Sequence, residues 1–326
     1  MKCTIQNIAD HLGLSRNTVS KALKNSSEVS ENTRNLVIKT ASKLGYKNAT
    51  FATPVIPASE TGSNGTILFL TRTYASDSEF WTTVLRGIES ILSNANYHLA
   101  ISIMSDSDLK QLNFPQTISD SSIKGIILVE ICDKVVCDAL SQFNLPIVSV
   151  DMPNVPFEEL NGIDVVTMES KKNLKKIINQ LIEKGAESFG FVGDLYSPNV
   201  SRGFQERYNA LSECLAEHQL PLNQKNCLLH QTPEDFRNFQ TTVNNLQAMI
   251  SLPDVFICGN DWTAIQLIYA LQFLGFQIPK DICVVGFDNI PAASRISPSL
   301  TTISTPQKYL GIAAARQILE RIQHPN

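Results

Sequence analysis

Along residues 4–45 apolar side chains recur at helical spacing, three or four positions apart. Ile5, Ile8 and Leu12 fall on one face of a first helix, and Thr4 is placed to cap it. The stretch "HLGLS" is a glycine-containing turn, after which Ser15 caps a second helix over 16–23. Val19, Ala22 and Leu23 of that helix face the interior of the module. Ser30 opens a third helix with Leu36, Val37, Thr40 and Leu44 inward and Gly45 as its stop. A helix, a short turn with Gly and a second helix make the helix-turn-helix pattern, and the third helix supplies the apolar lid that so small a unit needs.

The pattern breaks over residues 48–65. Prolines, glycines and small polar residues make this segment a linker. From Thr66 short apolar runs take over: "TILFL", "HLAISIM", "GIILVEI", "PIVSVD", "GIDVVTM", "SFGFVG", "DVFICG" and "ICVVGFD". Helical stretches at 80–95, 170–184, 202–217, 234–250, 260–274 and 306–322 lie between or after them. Short apolar strands alternating with helices predict α/β architecture built on two parallel sheets. In such sheets ligands bind at the carboxyl ends of the strands.

Composition adds three constraints. With 326 residues, 43% hydrophobic and 18% charged, the chain reads as a soluble globular protein of two or three domains. The opening "MKCTIQNIADHLG" lacks the apolar core of a signal peptide, and no run reaches the length of a membrane helix. The expected location is therefore cytoplasmic, with no membrane partner. The seven cysteines form no CxxC pair and sit mostly in apolar runs, which reads as buried, reduced thiols. The net charge of −4 is unevenly spread. Residues 1–48 hold eight Lys/Arg against three Asp/Glu, a net of +5 that leaves −9 for the remainder. A basic module on an acidic body points to a polyanionic partner for the module alone.

The second helix, "SRNTVSKAL", carries the polar groups that such a partner needs. A helix in the major groove reads bases with residues near its N-terminus. Arg16 and Asn17 stand there, and Lys21 follows a turn later. Arg suits guanine O6 and N7, and Asn suits adenine N6 and N7. Ser15, Thr18 and Ser20 can reach phosphates, which position a helix without specifying sequence. Thr4 and Asn25 complete the candidate DNA-contact set. The plain alternative is a solvated amphipathic helix.

The order of these residues resembles the DNA-binding headpiece of the LacI family of bacterial repressors, through "SxxTVSKxL", "VSxxTR" and the closing "LGY". By that resemblance Arg16, Asn17 and Lys21 hold the base-reading positions. The likeness continues through "PDVFICGNDWTAIQLIYALQFLGFQIPKDICVVGFDNIP" and "SPSLTTI", which are similar to the family's ligand-binding domain, two α/β lobes around a cleft as in periplasmic sugar-binding proteins. The implied organisation is a helix-turn-helix headpiece over 1–47, a linker over 48–65 and an effector domain over 66–326. The first lobe would comprise about 66–162 and 290–323, the second about 163–289. The chain departs from the family after Tyr46, where Lys47-Asn48 stand and "ATFATPVIP" lacks the Arg and Leu of a hinge helix. Pro54 and Pro57 also oppose a helix interior. It ends at Asn326, soon after "ILERIQ", where many relatives continue with another strand.

Strand ends supply the ligand candidates: Asp151 after "SV", Asn260 and Asp261 after "CG", Asp288 after "VGF", and Arg207 on the helix following "FGFVG". Carboxylates and amides can bridge hydroxyl pairs, and Arg donates a planar fork. Tyr74, Phe80, Trp81 and Trp262 could cover an apolar face of a ligand. The resemblance implies effector roles for Asp151, Arg207, Asn260 and Asp288. Plainer roles stand beside these: Asp261 as a helix cap, Phe80 and Trp81 as core, Arg207 as a surface ion pair. The family's Gly and aromatic three and four residues after the Arg are here Ala210 and Leu211.

No phosphate loop, dinucleotide fingerprint, nucleophile elbow or zinc motif is present, so an enzyme is not expected and no cofactor is implied. A plain solute-binding protein would leave the headpiece unexplained. The reading is a DNA-binding transcriptional regulator, a homodimer on double-stranded operator DNA, whose affinity a small-molecule effector such as a sugar modulates. A nucleobase effector or control by a protein partner is the alternative.

Overall fold

The computed structural model describes residues 4–23, 29–43, 63–72, 78–195, 201–230 and 238–325. The chain divides into two compact units, 1–62 and 63–326.

In the first unit, α1 (Ile5–Leu12) begins at a reciprocal cap. The Thr4 hydroxyl accepts from the Asn7 N–H, and the Asn7 side chain accepts from the Thr4 N–H. Gly13 ends the helix in the left-handed region at φ 63°, where a residue without Cβ is least strained. That turn delivers Ser15, whose hydroxyl accepts from the Thr18 N–H and so caps α2 (Arg16–Leu23). Ser30 does the same for α3 (Glu31–Lys43) through Thr33. Ile8, Ala9, Val19, Ala22, Val37 and Ala41 close one small core. Thr40 is buried as expected, but Leu36 is 50% exposed. The inward stripe of α3 runs through Val37 and Ala41, and Leu36, one position earlier, is rotated about 100° out of it. Leu44, Gly45 and the linker up to residue 62 lie outside the described residues.

The second unit holds two five-stranded sheets, parallel throughout. The first sheet runs β2 (Tyr97–Met104), β1 (Gly65–Arg72), β3 (Ile123–Val129), β4 (Ile147–Val150), β5 (Ile163–Val166). The second runs β10 (Thr301–Ser304), β9 (Cys283–Asp288), β8 (Val255–Cys258), β6 (Phe189–Asp194), β7 (Leu228–His230). Helices α4 (Glu79–Asn94), α5 (Asp106–Gln111), α6 (Lys134–Leu140) and the returning α11 (Gln307–Gln323) belong to the first lobe. Helices α7 (Lys172–Glu183), α8 (Arg202–Glu217), α9 (Phe239–Ala248) and α10 (Asp261–Phe273) belong to the second.

The lobe boundaries expected from sequence need correcting. Residues 163–166 pair with β4 and so lie in the first sheet. Residues 301–304 pair with β9 and so lie in the second. The chain crosses between lobes at 167–171 and again at 305–306. Sequence periodicity missed α5 and α6, each under two full turns, and the two short edge strands β7 and β10, which carry too few buried positions to show a pattern.

What returns α11 to the first lobe is a contact between backbones. A Cβ on Gly311 would stand 2.0 Å from the Val84 carbonyl oxygen of α4, and one on Gly87 would stand 2.2 Å from the Lys308 oxygen of α11. Only glycines let the helices meet this closely, and Val84, Ile88, Leu310, Ala314 and Ile318 fill the space around them. Gly311→Ala should therefore destabilise the fold by about 1–3 kcal/mol or more, as overpacking does. A lowered urea midpoint checks this, with the exposed Glu320→Ala as the neutral control.

Candidate functional site

The first unit presents one polar end. Arg16 and Asn17 are exposed on the first turn of α2, adjacent to the exposed Ser15, while Thr18, Ser20 and Lys21 are partly covered. Ser15 and Thr18 share a hydroxyl–hydroxyl hydrogen bond of 2.8 Å in addition to the cap. Thr4 also bonds the Asn7 side chain at 2.6 Å, so its hydroxyl serves the start of α1. Asn25 is outside the described residues. The result is a helix N-terminus fixed by a cap below and an apolar core behind, with an Arg and an Asn pointing to solvent.

In the second unit a recess of about 330 Å³, its open mouth included, lies between the lobes. First-lobe residues Trp81 and Asp151 and the crossing residues Met168 and Ser170 line it together with Arg202, Glu206 and Arg207 of α8. Asp151 follows β4 at φ 68° and reaches across the seam. It accepts hydrogen bonds from the Met152 N–H at 2.8 Å, from the Gly203 N–H at 3.4 Å and from the Ser201 hydroxyl. Backbone bonds reinforce the crossing, with the Arg202 N–H donating to the Met152 oxygen at 2.9 Å and a bridge between Pro153 and Ser201. Arg202 also stacks over the Phe157 ring at 4.3 Å.

Arg207 is 4% exposed. Its Nη1 donates to the Gly259 oxygen at 2.6 Å, and its guanidinium carbon lies 3.8 Å from the Phe287 ring centroid. Burial lowers its pKa, and Asp288, Asp151, Glu206 and Asp261 restore the charged form. It is an interior ion, not a surface pair. Asp288 ends β9 at 8% exposure, with its backbone oxygen held by the Gln307 amide at 2.6 Å and its Oδ1 buried without a hydrogen-bond partner. Burial pushes its carboxyl up to about 8; Arg207 pulls it down, while Asp261, Glu130 and Asp151 push it further up.

The remaining candidates fall elsewhere. Asn260 caps α10 by accepting from the Thr263 N–H at 2.8 Å. Asp261 is fully buried, and its two oxygens accept from the Ile290 N–H at 2.8 Å and from the Thr302 hydroxyl. These two residues bind the second lobe to itself, because a carboxylate and an amide at a strand end also face the orphan donors of the next helix and loop. Trp262 points outward on α10 and does not line the recess. Phe80 is core, edge-on to Trp81 at 4.7 Å, and only Trp81 also reaches the recess. Tyr74 is outside the described residues.

Sequence reading overlooked Glu130, which follows β3 as Asp151 follows β4. The same strand-end rule would have found it. The Trp81 indole N–H donates to Glu130, yet its Oε2 is buried without a partner. Burial pushes this carboxyl up to about 7, against the Trp81 bond and Arg72, with Asp194 and Asp151 adding repulsion. Ser170 was also missed: it is 2% exposed, lines the recess, and its hydroxyl has no partner.

A carboxyl that binds its proton more tightly when folded contributes stability that is complete below its unfolded pKa near 4 and is lost as pH rises through its folded pKa. For Glu130 and Asp288 that loss accumulates between about pH 4 and 8, ending near 7 for Glu130 and near 8 for Asp288, each pH unit of differential protonation being worth roughly 1.4 kcal/mol per group. The Tm should therefore fall by several degrees across that window, and Glu130→Gln or Asp288→Asn should flatten the fall. Thermal melts across the pH series check it.

Comparison with known proteins places both units. Residues 4–48 match the model of the bacterial regulatory proteins of the lacI family, and residues 178–326 match a periplasmic binding protein-like domain. The ribose operon repressor of Haemophilus influenzae is 27% identical over 327 residues, covering 99% of this chain and 93% of that protein. The structure of a CelR–cellobiose complex superposes with a TM-score of 0.68 at 18% identity over all of this chain and 94% of the other. The lac repressor dimer bound to operator and the anti-inducer ONPF gives 0.65 at 20% identity over 99% and 93%. At these identities the two structures speak for the fold. Taken with the exposed Arg16–Asn17 helix end of the first unit and the two lobes of the second, the chain belongs to the LacI family of bacterial regulatory proteins and is a DNA-binding transcriptional regulator.

Proposed function

We propose that α2 enters the major groove of a two-fold operator, with Arg16 and Asn17 reading base edges, Lys21 beside them, and Ser15, Thr18 and Ser20 on phosphates. The observation that carries this is the fixed, exposed Arg-Asn pair at a capped helix N-terminus. The regulator is a repressor, in keeping with its relatives, and a small polar ligand, a sugar in the first instance, binds the interlobe recess. The ribose repressor and the CelR–cellobiose complex support that choice. A ligand that touches Asp151 on one lobe and Arg207 on the other favours one closure angle, and it shifts operator affinity only by its differential affinity for the two arrangements.

The regulator acts as a homodimer, since one such headpiece offers too small an interface for tight binding. The outward face of α4 is polar at Thr82, Arg86, Glu89 and Ser93. Exposed apolar groups lie on the neighbouring edge strand β2 at Ile101 and Ile103, and on α10, where Trp262, Tyr269 and Phe273 form one stripe at helical spacing. These carry the proposed contact between copies.

Two measurements test this reading. Arg16→Ala and Asn17→Ala should each weaken specific operator binding by roughly 1–3 kcal/mol, where 1.4 kcal/mol is tenfold, and relax preference at one base pair. Unchanged affinity and preference in both variants would remove α2 from the groove. Sedimentation of the full chain at micromolar concentration should give about twice the 36.0 kDa monomer mass, and Tyr269→Asp with Phe273→Asp should shift it toward one.

A further inference from the structure

We infer that Ser170 is a specificity-determining residue of the interlobe recess: its hydroxyl and the Nε of Arg207 together receive one acceptor oxygen of the ligand, carried on a compact body with an apolar face. This deepens the reading of the recess as the ligand site, and rests on it.

The lining is of two kinds. Trp81 of α4, Val150 of β4, Val166 of β5, Leu310 of α11 and Met168 of the first crossing supply apolar surface. Arg202, Glu206 and Arg207 of α8, with Asp151 and Ser170, supply polar groups. At about 330 Å³ with its open mouth, the recess is at the small end of ligand sites and suits a body of about one ring.

Most of the polar lining already has partners. Asp151 accepts from Ser201, Met152 and Gly203. Arg202 donates to Glu206 Oε1 at 3.1 Å and to the Val155 oxygen at 3.3 Å. Arg207 Nη1 donates to the Gly259 oxygen. Among the lining residues, two buried polar atoms lack partners: the Ser170 hydroxyl and the Arg207 Nε, on side chains only 2% and 4% exposed. A guanidinium Nε can only donate, and a serine hydroxyl can donate too. What the wall lacks is therefore an acceptor. A carbonyl, ether or hydroxyl oxygen offers two lone pairs, one to each donor. An ammonium offers none.

The placement of Ser170 gives this a consequence. It lies in the crossing at 167–171, immediately before α7. Glu169 Oε1 accepts from the Lys171 N–H at 2.7 Å and from the Lys172 N–H at 2.6 Å, so the backbone on either side of Ser170 is pinned. An oxygen bound to Ser170 and Arg207 at once ties that crossing to α8.

Three probes built on one six-membered ring read this in the full-length protein. Cyclohexanone, cyclohexanol and cyclohexylammonium carry a carbonyl, a hydroxyl and an ammonium at the same carbon. At about 20 mM each and equal ionic strength near pH 7, cyclohexanone and cyclohexanol should each give a Tm about 1–2 °C above that with cyclohexylammonium. Ser170→Ala should keep or raise the ligand-free Tm, because it removes a buried hydroxyl that has no partner. It should weaken cyclohexanone binding about 2–10-fold, read from the concentration dependence of the Tm, and leave the response to cyclohexylammonium unchanged. A ligand-free Tm lowered by several degrees in Ser170→Ala would assign the hydroxyl to the fold and overturn the inference. A gain led by cyclohexylammonium, or none from cyclohexanone, would overturn it as well. A cyclohexanone gain lost in Met168→Ala but kept in Ser170→Ala would overturn the oxygen assignment while leaving the recess as the ligand site. A gain that survives both substitutions would place the ring elsewhere and remove the recess reading too.

Discussion

An arginine cannot be buried alone. Leaving a guanidinium in the interior without opposite charge costs several kcal/mol, so whatever surrounds Arg207 is constrained by it. The surroundings are the carboxyl ends of strands from both sheets. Asp151 arrives from β4 of the first, Asp288 from β9 of the second, and the Phe287 ring covers one face of the cation. Parallel sheets make this convergence possible, because every strand in a lobe ends on the same side and each end offers one side chain to the seam. Burial is the main reason that Glu130 and Asp288 hold their protons to near-neutral pH, and the neighbouring acids, which outnumber the cation they accompany, add to it.

The same arrangement gives the two lobes a reason to sense each other. Asp151 belongs to the first lobe and is bonded to the first turn of α8 in the second. Asp288 belongs to the second, and its backbone oxygen is held by Gln307, the first residue of the helix that returns to the first lobe. A change in charge or hydrogen bonding at the seam therefore acts on both lobes. On the proposed reading, that is how a ligand smaller than a side-chain cluster could set the closure angle of two lobes.

Much of this was legible in the sequence. The switch from helical to strand periodicity near residue 65 marked the linker and the two architectures on either side of it, because periodicity is what buried faces leave behind. Caps at Thr4, Ser15 and Ser30 were readable because each is a local bond over three residues. Lobe membership was not readable for 163–166 or 301–304, since a strand's partner is a long-range choice that its own residues do not encode. At the site, strand ends led to Asp151 and Asp288 but also to Asn260 and Asp261, which the fold uses for itself. Whether a strand-end carboxylate faces a ligand or a neighbouring loop depends on the loop's path, which spacing does not reveal. Glu130 shows the converse: the rule applies to it, yet it was overlooked, and its aromatic partner Trp81 lies far away in sequence.

The account turns on carboxyls kept protonated by burial at the seam. Carbon-13 NMR of the Asp and Glu side-chain carboxyls, followed from about pH 3 to 10 in the full-length protein, observes that state directly. Two resonances titrating near 7 and 8, lost respectively in Glu130→Gln and Asp288→Asn, are what the structure predicts. A spectrum in which every carboxyl has titrated by about pH 5 would contradict it, and with it the charge balance around Arg207.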